Sequence, residues 1–117
     1  MDETINLLQE TTQAISKTGH SLEDIKYIFI KKDDDTVSDV LIKDYSSSSV
    51  SEEELKNLDF DYDYDYGKHY VYGFVAFRDG SYLQRADYDG YEWWKYHRCP
   101  KFEDLLKVDN DNLDRLI

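Results

Sequence analysis

The stretch from Tyr70 to Arg98, YVYGFVAFRDGSYLQRADYDGYEWWKYHR, decides how this chain folds. Two Asp-Gly pairs, Asp79-Gly80 and Asp89-Gly90, divide it into three runs of strand length. Asp-Gly favours a type I′ turn because both central residues tolerate positive φ, and that turn matches the twist of antiparallel strands. A three-stranded meander is predicted. In its first strand, Tyr70, Tyr72, Phe74 and Ala76 alternate with Val71, Gly73, Val75 and Phe77. Both sets are apolar or aromatic apart from Gly73, which predicts a central strand covered on both sides. The second strand sets Tyr82, Gln84, Ala86 and Tyr88 against Ser81, Leu83, Arg85 and Asp87; the third sets Trp93 against Trp94, and Cys99-Pro100 ends the sheet.

Upstream, Lys26 to Lys32 is β-branched and aromatic, and Val37 to Tyr45 has strand composition after a turn at Asp33 to Asp35. The two runs are expected to pair as a hairpin. Ser46 to Ser49 then read as a flexible connector. Ser51 with Glu54 three residues on is a capping box that opens a short helix to about Leu58. At the N-terminus, Asp2 is placed to cap a helix running to about Lys17, with Ile5, Leu8, Thr12 and Ile15 on one stripe and Gly19 as its stop. The tail carries Phe102, Leu105, Leu106 and Val108, then Leu113, Leu116 and Ile117 after an Asp109 or Asn110 cap, which reads as two short amphipathic turns packing on the sheet. The expectation is a single α+β domain over residues 1–117, with about five antiparallel strands and helices mainly on one face.

Charge narrows the function. The chain has 117 residues with 26 Asp and Glu against 14 Lys and Arg, a formal net charge of -12. Its hydrophobic fraction of 40% supplies a core, so the chain is not read as a disordered acidic tail. Such a charge repels phosphate and anionic lipid, so direct binding to nucleic acid or membrane is disfavoured and the expected partner is a basic protein surface. No apolar run approaches the roughly 18–20 residues of a membrane helix, and Met1-Asp2-Glu3 is acidic where a secretory signal is basic. A soluble protein of the cytosol is expected. The first 66 residues carry 17 acids and 6 bases, while the remainder carries 9 and 8. The density peaks between Glu52 and Asp65, where Glu52, Glu53, Glu54, Asp59, Asp61, Asp63 and Asp65 meet a single Lys56.

Within that peak, Asp59-Phe60-Asp61-Tyr62-Asp63-Tyr64-Asp65-Tyr66 alternates carboxylates with rings. In an extended chain, the acids fall on one side at about 6.5–7 Å spacing, close to that of phosphates along a nucleic-acid strand, and the rings on the other. The plainer reading is an edge strand whose rings pack inward while its acids prevent aggregation. An EF-hand does not fit: a loop starting at Asp61 has Tyr66 and Tyr72 where Gly and Glu are required. His20, His69 and His97 have no zinc-ligand spacing, and the lone Cys99 excludes an internal disulfide and reads as a core thiol. No nucleophile elbow or phosphate loop is present, so neither cofactor, metal nor enzymatic activity is expected. Nine of the eleven tyrosines lie between Tyr62 and Tyr96, alongside Trp93 and Trp94; a small sheet cannot bury all of these, and those exposed suit Arg- and Lys-bearing partners.

Small size, charge concentrated in Glu52 to Asp65, and a meander carrying Asp79-Gly80-Ser81-Tyr82 and Asp89-Gly90-Tyr91-Glu92-Trp93-Trp94 give the chain a resemblance of type. It resembles the small acidic inhibitors encoded by phages, the anti-CRISPR and anti-restriction proteins, many of them nucleic-acid mimics. The resemblance implies an inhibitor in the host cytoplasm that occupies the basic groove of a nuclease or of a CRISPR or restriction effector. Contact is expected through Glu52, Glu53, Glu54, Asp59, Asp61, Asp63 and Asp65, with Tyr62 and Tyr64 as apolar anchors. The alternatives are an immunity or antitoxin protein that neutralises a basic nuclease toxin, and an aromatic-lined module for a peptide or sugar.

Overall fold

The structure, a computed structural model, describes residues 4–33, 36–63, 69–88 and 91–98. It is an α+β fold. The chain begins with β1 (Thr4–Asn6), continues directly into α1 (Leu7–Lys17), and reaches the hairpin β2 (Ile25–Asp33) and β3 (Val37–Asp44) through a 3-10 turn at Leu22–Asp24. After α2 (Glu52–Leu55) and a 3-10 turn at Lys56–Leu58 come β4 (Asp61–Asp63) and the meander β5 (Val71–Phe77), β6 (Tyr82–Tyr88) and β7 (Tyr91–His97). The main sheet has the order β3-β2-β5-β6-β7, antiparallel throughout, and β1 pairs β4 in a separate two-stranded ladder.

The expected hairpin and the expected three-stranded meander are both present, and β5 is the central strand. Its two faces differ, however. Val71, Val75 and Phe77 are buried beneath the helices, whereas Tyr72 on the opposite face is 42% exposed, so the described elements do not close both sides. Gly73 lies on the buried face at φ 143°, and a Cβ there would stand 1.9 Å from the Phe29 carbonyl oxygen of β2. Only glycine permits this approach of the two strands. The first Asp-Gly turn also differs from expectation. The Gly80 N–H donates to the Phe77 carbonyl and the Phe77 N–H to the Ser81 carbonyl, so Arg78 and Asp79 are the central pair and Gly80 follows at φ 92°. This is the three-residue hairpin loop in which glycine takes the left-handed position, rather than a type I′ turn. Asp89 and Gly90 lie outside the described residues, although Tyr88 pairs with Tyr91 across them.

The first helix starts later than Asp2 predicts. Thr4–Asn6 are drawn into the ladder with β4, so Asn6 becomes the cap and its side-chain oxygen accepts from the Gln9 N–H at 3.0 Å. The buried stripe is accordingly Leu7, Thr11 and Ile15, with Ile5 and Leu8 half-buried beside it. Eleven residues make a marginal helix in water. Burial of Leu7 and Ile15, each worth about 1.5–3 kcal/mol, holds α1 to the sheet together with the Trp94 Nε1 donation to Thr11 Oγ1 at 2.9 Å. Gly19 at φ 82° ends the helix as expected.

The Ser51–Glu54 capping box is formed, and Leu55 and Leu58 insert into the same core. The serine connector is pinned rather than loose: Arg78 Nη2 donates to the carbonyls of Tyr45 (2.8 Å) and Ser48 (3.2 Å), and its Nε to that of Glu23 (3.0 Å). The helices therefore share one face of the sheet, and the hairpin loop clamps the connections beneath it. Cys99, the Asp34–Asp35 part of the first turn and the amphipathic tail lie outside the described residues.

Candidate functional site

The acidic segment divides once its partners are known. Glu52 and Glu53 occupy the first turn of α2, are exposed, and face solvent at the end where backbone N–H groups favour negative charge. Asp59 follows the 3-10 turn and Asp61 opens β4, both exposed. Asn6 lies between them, its Nδ2 donating to Asp59 Oδ1 at 2.9 Å and to Asp61 Oδ1 at 3.1 Å. One neutral amide thus holds two carboxylate oxygens within about 6 Å of each other. Among the described residues, no cation pairs with any of these four acids.

Glu54 belongs to the frame instead. It accepts from Lys43 Nζ at 3.0 Å and the Tyr45 hydroxyl at 3.0 Å while closing the capping box on Ser51. Lys43 is the chief reason its carboxyl is held down at about 2, with the Ser51 and Tyr45 bonds adding to it. Its charge is already spent, which removes it from the expected contact set.

Tyr62 is likewise structural. The two-residue period of β4 turns Asp61 outward and sends Tyr62 into the core, where it is 6% exposed. Its hydroxyl donates to Glu10 Oε1 at 2.7 Å and accepts from Arg85 Nη2 at 2.9 Å, and burial raises its pKa well above that of a free tyrosine. The alternating motif is therefore strand-like at Asp61–Asp63, with one ring inward. Asp63 takes part in the ladder opposite Thr4, while Tyr64 and Asp65 lie outside the described residues.

Behind Tyr62 is an ionic network that charge counting does not reveal. Arg85 of β6, with its side chain 1% exposed, donates to Glu10 Oε1 at 2.8 Å and to Glu92 Oε1 at 3.3 Å. Its guanidinium also packs over the Trp94 ring at 4.9 Å. Burial opposes the arginine's charge, but Glu10 and Tyr62 more than offset it, so its pKa is raised. Glu92 accepts as well from the N–H groups of Tyr70 (2.7 Å) and Val71 (2.9 Å), which ties β7 to the entry of β5. The only sequence signal for this network is Arg85 sharing the alternation of Leu83, a charged residue in an inward register.

A Ser-His-Asp grouping also occurs, at the β5–β6 loop. His20 Nε2 is 2.8 Å from Asp79 Oδ2 and 3.4 Å from Ser81 Oγ, and its ring stacks on Phe77 at 3.9 Å. The Ser81 hydroxyl donates to Asp79 at 2.5 Å and Ser81 is buried. A nucleophile must hand its proton to the histidine; here that proton faces the carboxylate, and the arrangement braces a loop. Ser81 is the leading cause of the fall of the Asp79 carboxyl to about 2, followed by His20.

Two further surfaces are present. Between α1 and β7, Glu10, Gln13, Lys17, Trp93, Trp94 and Tyr96 line a groove of about 380 Å³. On the other side of the sheet, Tyr27, Phe29, Ile42 and Tyr72 are each 37–43% exposed. Among the described residues, no three His, Cys, Asp or Glu side chains are grouped to hold a metal ion, and no helix is long and apolar enough to cross a membrane. No protein-family model matches the chain, and neither does any curated protein or solved structure.

Proposed function

We propose that this protein is a non-enzymatic acidic inhibitor that covers the basic nucleic-acid-binding surface of a nuclease or of a CRISPR or restriction effector, blocking entry of DNA or RNA. The reading rests on one observation: Glu52, Glu53, Asp59 and Asp61 are exposed along one continuous segment, and among the described residues no cation pairs with any of them. Carboxylates that no cation neutralises keep their charge to substitute for phosphates against Lys and Arg of another protein, through charge-assisted hydrogen bonds. Asn6 supports the reading by holding Asp59 and Asp61 side by side, so part of their mutual repulsion is met before a partner arrives. The expected contact set contracts accordingly to these four acids plus Asp63, Tyr64 and Asp65. An immunity protein against a basic nuclease would use the same surface, and a neighbouring toxin gene would identify it.

The test is capture from host lysate by the wild-type chain and by the variant E52K/E53K/D59K/D61K, at about 0.05 M and about 1 M salt, where the Debye length falls from more than 10 Å to about 3 Å. A nucleic-acid enzyme retained at low salt, released at high salt and lost with the variant, whose DNA binding is then inhibited by the purified chain, is the expected result. Retention of the same enzyme by the variant would refute the reading. Salt-independent capture would instead favour the aromatic groove between α1 and β7 as a peptide- or sugar-binding module.

A further inference from the structure

The groove between α1 and β7 has two unlike walls. On the helix side, Glu10, Gln13, Ala14 and Lys17 recur at helical spacing and share one stripe of α1, beside the buried stripe of Leu7, Thr11 and Ile15. From Glu10 to Lys17 the helix rises about 10.5 Å, and the small Ala14 leaves a hollow between longer side chains. On the sheet side stand Leu83, Trp94 and Tyr96. β7 is an edge strand, so Trp93, from its other face, lines the same groove. The aromatic wall is braced from within the fold. Trp94 Nε1 donates to Thr11, the Arg85 guanidinium packs on the Trp94 ring, and His20 meets the Tyr96 ring edge-on at 6.2 Å. The helix wall is polar and largely uncommitted. Among the described residues, the Gln13 and Lys17 side chains have no hydrogen-bond or ion-pair partner, and Glu10 uses only Oε1, towards Tyr62 and Arg85.

These walls select their ligand by exclusion. An anion would meet a single lysine beside Glu10, on a chain of net charge -12. A cation would meet Lys17, while Glu10 is already paired with Arg85. A wholly apolar body would take water from Gln13, Lys17 and Glu10 Oε2 and return no hydrogen bond. An uncharged sugar satisfies both walls: the C–H face of its ring packs on the aromatic side chains, and its hydroxyls, each a donor and an acceptor, suit the amide, ammonium and carboxylate. The volume of about 380 Å³ lies within the range of about 300–1,000 Å³ usual for small-molecule sites.

We propose that this groove is a binding site for a neutral saccharide, with sugar rings on Trp93 and Tyr96 and hydroxyls on Gln13, Lys17 and Glu10. The inference is independent of the acidic surface, with which the groove shares no residue. Its test is calorimetric titration of the full chain with maltose, lactose, cellobiose and chitobiose, and with adenosine and indole as planar competitors. At least one of the sugars should bind with a Kd of about 1 mM or tighter. Because the ligand is uncharged, that Kd should be the same at about 0.05 M and about 1 M salt. Trp93→Ala should weaken the sugar by about tenfold or more. Ala14→Phe, which fills the hollow from the helix surface, should do the same, each variant keeping the far-UV circular dichroism of the native chain. Absence of binding by all four sugars would overturn the proposal, as would tighter binding of adenosine or indole. So would a sugar affinity that falls about tenfold with salt, or one that survives both substitutions.

Discussion

Two groups of carboxylates in this protein have the same chemistry and opposite fates. Glu10 and Glu92 converge on Arg85 inside the fold, where every close oxygen has a donor. Glu52, Glu53, Asp59 and Asp61 line the outside with no cation paired to them among the described residues. The comparison teaches that a net charge of -12 does not describe a surface by itself. What a carboxylate does depends on whether the fold brings arginine and backbone N–H groups to it, and Glu54, half-buried against Lys43, lies between the two extremes.

The comparison is broken most severely by Arg85→Ala. Removing one partner of a buried ionic cluster leaves Glu92 desolvated without its charge partner, and about 3–5 kcal/mol of stability should disappear in urea denaturation. The four-fold reversal E52K/E53K/D59K/D61K should do the converse: a stability change within about 1 kcal/mol, yet partner affinity reduced at least a hundredfold, about 2.7 kcal/mol, as measured by titration of the captured enzyme. Equal destabilisation by both variants would erase the distinction. Ser51→Ala, which removes the cap beneath the acidic turn, should cost about 1 kcal/mol by the same denaturation assay.

Protonation is the gentlest probe. Glu54 and Asp79 both have folded-state pKa values lowered to about 2, so their contribution is complete above the ordinary carboxylate range of about 4. It is lost as pH falls from there towards 2. Urea midpoints measured from pH 6 to pH 2 should therefore decline below about pH 4.5, and the variant Glu54→Gln/Asp79→Asn should flatten that decline.

Much of the fold was legible in local pattern. The β2–β3 hairpin, the three-stranded meander, the capping box at Ser51 and the stop at Gly19 each depend on neighbours within a few residues, and each is present. The start of α1 was not legible, because Thr4–Asn6 are claimed by β4, more than fifty residues away. For the same reason the contact set was only partly legible. Tyr62 and Glu54 look like their neighbours in sequence, and only the approach of Glu10, Arg85 and Lys43 removes them from the surface. Asn6 carried no signal at all until the chain brought it between Asp59 and Asp61.

By itself the sequence determined the period-two strands, the turn positions and the concentration of negative charge in one segment, because these follow from residue types at short spacing. Tertiary structure alone decided which acids are neutralised and which remain free, and which face of the aromatic sheet the helices cover. Burial and charge pairing are set by residues distant in the chain, and a carboxylate's energy changes by several kcal/mol according to whether one of them is an arginine.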